Sequence, residues 1–268
     1  MWLGTAMNPV ALTALIVGGV GLGCGVALAL ASRFLSVYED PRIGEVTELL
    51  PGANCGGCAY AGCADYAKAM VVNDAAINLC TPGGQEVLDQ LCAFFGKTAA
   101  AAEKQVAVVL CGGSADHAPR RFAYNGVADC AAAQSVHGGD KACGYGCLGY
   151  GSCARACPVG AIEISNGLAS VHKSLCIGCG ACVKTCPRSL IQMVPAARIV
   201  HVLCRSRDKG PVTKKACKVG CIGCTRCTKL VDDKQIVMDG PLAVVDYAKP
   251  LDQSDVVEKC PAHCIVRE

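Results

Sequence analysis

The sequence predicts an α+β chain made of a single N-terminal transmembrane helix, a small four-cysteine module and two tandem cysteine-rich units, the second of them degenerate. Three observations carry this reading. Pro9 to Ser32 holds no charged residue. The chain of 268 residues contains 23 cysteines, far above ordinary usage, and they gather in short-spaced runs. From residue 130 onward the pattern of cysteines and apolar residues recurs, ungapped, 74 positions later. An odd cysteine count arranged in C-x2-C runs argues for metal in a reducing compartment rather than for disulfides. Aromatics make up only 4% of the chain, so a large core is excluded and bound metal must staple the small domains. The net charge of +3, with no basic run interleaved with aromatics, argues against a nucleic-acid partner.

The uncharged stretch would form on the order of 35 Å of helix, enough to cross a hydrocarbon core of about 30 Å. It is longer than a signal-peptide core, and the 8 residues before it carry no Lys or Arg. Gly21-Leu-Gly-Cys24 has the outline of a lipoprotein cleavage site but lacks the positive leader. Arg33 and Arg42 follow the span and nothing basic precedes it, so the positive-inside rule places the bulk of the chain on the cytoplasmic side of a single-pass anchor. Gly19/Gly23 and Gly21/Gly25 have the small-xxx-small spacing that lets a second helix approach closely.

The four-cysteine module comes next. Cys55, Cys58 and Cys63 are spaced C-x2-C-x4-C, and Cys80 follows after 16 more residues. Glycines 56, 57 and 62 let the backbone turn around a cluster, and a helix from Ala64 to Leu79 would carry the chain back to deliver Cys80. A second helix is expected over Gly84 to Ala102, then a strand at Val106–Leu110. Zinc is the rival occupant, since four isolated cysteines carry no cross-ligation signature.

Cys176-x2-Cys179-x2-Cys182-x3-Cys186-Pro187 is the run with which bacterial ferredoxins hold iron–sulfur cubanes, giving the fourth cysteine to a second cluster. A partner run lies upstream, Cys143-x3-Cys147-x5-Cys153-x3-Cys157-Pro158. Cross-ligation then predicts one [4Fe-4S] cluster on Cys157, Cys176, Cys179 and Cys182 and another on Cys143, Cys147, Cys153 and Cys186. Four thiols within 11 residues, closed by proline, suit a cubane better than a zinc knuckle.

The repeat makes residues 198–268 a second ferredoxin-like unit. Cys130, Cys143, Cys147, Cys153 and Cys186 fall on Cys204, Cys217, Cys221, Cys227 and Cys260. The equivalents of Cys157, Cys176, Cys179 and Cys182 are Val231, Pro250, Gln253 and Val256, so one complete ligand set has gone and the other remains. The surviving cluster is expected on Cys221, Cys224, Cys227 and Cys260, with Cys264 a bystander. Cys217 is the rival of Cys224; the standard spacing favours Cys224. The expected division is thus an anchor (1–36), a cluster module (37–100), a connector (101–129), a two-cluster ferredoxin-like domain (130–197) and the degenerate repeat (198–268), with four clusters in all; the sequence leaves open whether Cys111, Cys130, Cys204 and Cys217 bind a further one.

Pro51-Gly-Ala-Asn-Cys55-Gly-Gly-Cys58-Ala-Tyr-Ala-Gly-Cys63, after one membrane helix and before ferredoxin motifs, resembles the B subunit of the Rnf complex over essentially the whole chain. The resemblance implies a bacterial or archaeal cytoplasmic membrane, soluble ferredoxin as electron donor, and sister subunits that carry flavins and further clusters in an ion-translocating ferredoxin:NAD oxidoreductase. The related Rsx complex, which reduces a redox sensor, shares this subunit, and a metal-stapled scaffold is the reading from another class. No Gly-rich nucleotide fingerprint and no Ser/His/Asp or Cys/His set is readable, so no bond-breaking site is expected in this chain. Arg198, Arg205, Arg207, Lys209, Lys214, Lys215 and Lys218, against only Asp208, form a basic stretch suited to an acidic partner.

Overall fold

The computed structural model describes residues 9–34, 40–100 and 103–268. They fall into two compact bodies, one ending at Pro41 and the other running Arg42–Glu268. The first contains α1 (Pro9–Phe34), and within it Val10–Phe34 has a mean hydropathy of 2.2, long and apolar enough to cross a membrane. Cβ atoms added at Gly18, Gly19, Gly21, Gly23 or Gly25 would meet nothing within 4 Å, so the small-residue face is open. The expected anchor also included residues 1–8, 35 and 36, which lie outside the described ones.

The second body begins with α2 (Pro41–Leu49), α3 (Cys63–Asn73) and α4 (Gly84–Phe95). Val46, Tyr66, Met70, Leu88 and Leu91 are buried together between them. Both latter helices are shorter than expected. α3 stops where Asp74 turns left-handed, at φ 52°, and α4 where Gly96 does so, at φ 62°. Such a residue ends a helix by turning its amide back on an orphan carbonyl.

The remainder consists of β1 (Gln105–Val109), α5 (Cys130–Ser135), α6 (Ser152–Arg155), β2 (Ile162–Ser165), β3 (Leu168–Val171), α7 (Ala181–Thr185) and β4 (Ile191–Pro195). It is completed by β5 (Val200–Val202), α8 (Gly210–Ala216), β6 (Ile236–Asp239), β7 (Leu242–Val245), α9 (Ser254–Glu258) and β8 (Ile265–Arg267). All pairing is antiparallel. β2 pairs with β3 through a two-residue turn in which Asn166 and Gly167 both have positive φ, and β6 pairs with β7 through Gly240-Pro241. β1 pairs with β4 and β5 with β8. The stretch expected as a connector therefore supplies a strand to the first ferredoxin-like unit, with residues 101 and 102 outside the described ones.

Strand pairing also redraws the repeat. Val109 faces Ile191 and Val202 faces Ile265, and Ile191 and Ile265 are equivalent positions. The amides of Leu110 and Leu203 donate to the carbonyls of Leu190 (2.8 Å) and Cys264 (2.7 Å), again equivalent positions. So the counterpart of Cys204 is Cys111, and the ungapped match of Cys204 to Cys130 is a coincidence of spacing.

In the second unit the positions equivalent to Cys157 and Cys182 are packed as core: Val231 and Val256 are buried with Leu251, Ile236, Leu242 and Ile265. This is ordinary core filling, which keeps the small unit packed without a metal staple. A chain shortened to begin near Arg33 should stay in the supernatant, keep its brown colour and remain reducible, and should fail to join a membrane fraction. Retention in membranes after a carbonate wash would show that the apolar helix is not the only anchor.

Candidate metal centres

Cysteine thiols converge on cavities in the second body. The first, of 320 Å³, is lined by Cys55, Cys58, Cys63 and Cys80. Asn54 turns left-handed at φ 44° and its Oδ1 accepts from the Cys63 amide at 2.8 Å; a Cβ on Gly62 would stand 2.9 Å from that oxygen and push the Asn54 side chain off this bond. Cys80 is brought in by buried Tyr66, whose hydroxyl donates to the Ala76 carbonyl (2.6 Å) and accepts from the Leu79 amide (3.2 Å). Burial pushes the Tyr66 phenol up to about 12, which keeps it a donor.

A second cavity, also of 320 Å³, is lined by Cys157, Cys176, Cys179 and Cys182. The amides of Ala161 and Ala107 donate to the sulfurs of Cys157 (3.3 Å) and Cys176 (3.5 Å). The second of these comes from β1, so that strand forms part of the wall. The two sites touch: a Cβ on Gly57 would lie 3.3 Å from the Cys179 carbonyl oxygen.

A third cavity, of 370 Å³, is lined by Cys147, Cys153, Cys186 and Cys130. The Leu190 amide donates to Cys186 Sγ at 3.4 Å. Cys130 starts α5, whose cap is Asp129; that carboxylate accepts from the Ala131 and Ala132 amides and from the Ser152 hydroxyl. Ser152 in turn accepts from the Cys130 amide at 2.7 Å, which ties the start of α5 to α6, the helix bearing Cys153. Burial, reinforced by Cys147, Cys130 and Cys186, pushes the Cys153 thiol up to about 12.

The fourth, of 390 Å³, is lined by Cys221, Cys224, Cys227 and Cys260, with Cys264 at its inner wall. Cys264 Sγ is 3.6 Å from Cys260 Sγ. Interaction with Cys264 pulls Cys260 down to about 5 and Cys221 down to about 6, while the Cys264 thiol is pushed up. The donor sets fit [4Fe-4S] clusters. Each cavity offers four cysteines in an apolar lining, and amides aimed at sulfur are a lever by which a protein tunes such a centre. Among the described residues, no three His, Cys, Asp or Glu side chains stand close enough to share a single metal ion, as zinc would require.

Residues 50–82 match the FeS family, described as an Fe-S cluster, and residues 169–192 match Fer4, the 4Fe-4S binding domain. The chain is 42% identical to the B subunit of the ion-translocating oxidoreductase complex of Methanosarcina acetivorans, over 93% of this chain and 95% of the relative. It is 41% identical to the B subunit of the Na(+)-translocating ferredoxin:NAD(+) oxidoreductase complex of Acetobacterium woodii, over 97% and 78%. It is 39% identical to the proton-translocating counterpart from Clostridium ljungdahlii, over 97% and 93%. The chain belongs to the Rnf-type B subunits.

In this iron–sulfur electron-transfer subunit the third cavity differs from the sequence expectation at one cysteine. Cys143 does not join Cys147, Cys153 and Cys186; Cys130 stands in its place. The reason lies in Tyr150, which occupies the position of Cys224 in the repeat and instead hydrogen-bonds Asp140 (2.7 Å) and Arg120 (2.7 Å). With no thiol at position 150, the fourth donor comes from a helix start held by Ser152. Cys143 lines a different cavity with Cys111, Cys204 and Cys217, and Cys217 is thereby separated from the site for which it rivalled Cys224.

Replacing Cys130 with Ala should lower iron by about four atoms per chain. Cys264→Ala should leave the iron content unchanged, yet the centre on Cys221, Cys224, Cys227 and Cys260 should reduce at a lower potential. Removing a thiol within hydrogen-bond reach of a ligand sulfur disfavours the more negative reduced state. Iron analysis and redox titration followed by EPR check both outcomes.

Proposed function

We propose that this B subunit takes electrons from reduced soluble ferredoxin and passes them to partner subunits of a membrane-bound complex that reduces NAD and translocates ions. Its four cysteine quartets, Cys55/Cys58/Cys63/Cys80, Cys157/Cys176/Cys179/Cys182, Cys130/Cys147/Cys153/Cys186 and Cys221/Cys224/Cys227/Cys260, each hold one [4Fe-4S] cluster. Bound clusters supply reversible one-electron chemistry, and the residues contribute binding, burial and hydrogen bonds. The observation that carries the reading is contact between cluster sites from different modules, Gly57 against Cys179. Metals that only stapled domains would have no need to adjoin.

Entry is assigned to the second ferredoxin-like unit. Cys224 is exposed there, beside exposed Arg226, while most of the other quartet cysteines are at least partly covered. Close by in sequence, α8 and its flanks carry Lys209, Lys214, Lys215 and Lys218, all at least partly exposed. Arg207 is committed to Asp239 at 2.6 Å and Arg198 to the Tyr247 carbonyl at 3.0 Å, so the lysines are the part of the basic stretch suited to an acidic partner. Exit is assigned to the Cys55 module, and the bulk of the chain to the cytoplasmic side, where ferredoxin resides.

Reversing Lys214 and Lys215 to Glu should slow reduction by ferredoxin roughly tenfold at low ionic strength and flatten its salt dependence. Stopped-flow measurement across a salt series reads both effects, and an unchanged salt profile would remove this face from the docking site.

A further inference from the structure

We propose that Cys111, Cys143, Cys204 and Cys217 hold one more [4Fe-4S] cluster, at the junction of the two ferredoxin-like units. The four line one cavity of 340 Å³, within the 320 to 390 Å³ span of the four sites above. All four are buried. Two come from each repeat, and they are equivalent pairs: Cys143 matches Cys217 in the ungapped repeat, and strand pairing matches Cys111 to Cys204.

The equivalence extends to the hydrogen bonds on sulfur. The Gly113 amide donates to Cys111 Sγ at 3.4 Å and the Ser206 amide to Cys204 Sγ at 3.5 Å. The Cys147 amide donates to Cys111 Sγ at 3.4 Å, and its equivalent, the Cys221 amide, lies close to Cys204. Each repeat thus presents two thiols and a matching set of amides across a shared cavity. A chance packing of cysteines as small hydrophobes would not reproduce donors position by position.

Charge around the cavity points to an anionic occupant. Buried Lys141 donates to the carbonyls of Gly113 and Cys147 (2.8 Å), and Arg188 to the carbonyl of Cys143 (2.9 Å). Arg205 lines the cavity, and its Nε is buried with no hydrogen-bond partner. A buried guanidinium N–H without a partner, on the wall of a chamber lined by four cysteines, favours a negative occupant. Four thiolates around a cubane supply it. Binding replaces four S–H bonds with four Fe–S bonds and releases four protons to solvent; later redox turnover moves one electron and no proton.

The location gives the site its role. Its ligand Cys111 accepts from the amide of Cys147, a ligand of the neighbouring quartet in the first unit. Its ligand Cys204 lies close to the amide of Cys221, a ligand of the quartet in the second. It is the missing link between the entry site assigned above and the rest of the chain. The inference extends that reading but stands on its own residues.

Full-length reconstituted protein should contain about 20 iron and 20 sulfide per chain rather than about 16 of each, with no zinc. Cys204→Ala and Cys217→Ala should each lower iron by about four, and the double variant by no more than either alone. Fully reduced protein should lose one EPR spin per chain in each variant. About 16 iron in the unaltered chain, one zinc per chain, or unchanged iron in these variants would overturn the proposal, and the count in the unaltered chain decides even if a variant misfolds. Cys260→Ala separates this site from the four-cluster reading. A chain that loses a cubane with Cys260→Ala but not with Cys217→Ala refutes the junction site alone, and the reverse refutes the assignment of Cys260 alone.

Discussion

The convergence of cysteine thiols in fours is the constraint on which the rest of the second body depends. Its sheets are two-stranded and its helices after α4 are a turn or two long, elements that do not hold together in water by themselves. What joins them is the demand that segments distant in sequence bring sulfur to one cavity. Cys157 closes a site whose other three ligands lie beyond the β2–β3 hairpin, and Cys186 closes a site begun at Cys130. A ligand set of this kind links strand, loop and helix start at once. It stands in for the apolar area that a chain so poor in aromatics cannot bury.

The second ferredoxin-like unit shows the same constraint from the other side. Where a quartet is absent, Val231, Leu251 and Val256 form a buried core against Ile236 and Leu242. Loss of one ligand removes much of a cluster's stability, after which the other three positions are free to become apolar. The retained quartet keeps its hairpin and its Cys-Pro ending, and Cys264 takes the place of Leu190 as a thiol beside the ligands. All four positions of that quartet differ together, while the hairpin around it keeps its pairing.

How much was legible in the sequence follows from how local each site is. The quartet on Cys157, Cys176, Cys179 and Cys182 and the one around Cys55 are written in short spacings, and the structure gathers those residues as expected. So are Cys221, Cys224 and Cys227, with Cys260 supplied by the repeat. The spacing does not place Cys130 beside Cys147, Cys153 and Cys186, because its position depends on Ser152 tying two short helices together across an intervening loop. Cys111 is an open candidate in the sequence, grouped there with Cys130 rather than Cys143, for a related reason. An ungapped alignment set Cys130 against Cys204, whereas Val109-Leu110-Cys111 and Val202-Leu203-Cys204 share three residues and the same strand register. That tripeptide was the available signal, hidden by a longer segment between Cys111 and Cys143 than between Cys204 and Cys217.

The identity of the missing quartet is explained by the order of the sites. In the first unit the quartet on Cys176 abuts the Cys55 module through Gly57, so it connects two neighbours. In the second unit the equivalent positions Val231 and Val256 are instead packed in an apolar core with Ile236 and Leu242. The path proposed above, from the Cys221 site through the junction at Cys204 to the first unit, calls on no centre there, so that position is free to be filled by side chains that stabilise the unit through packing alone.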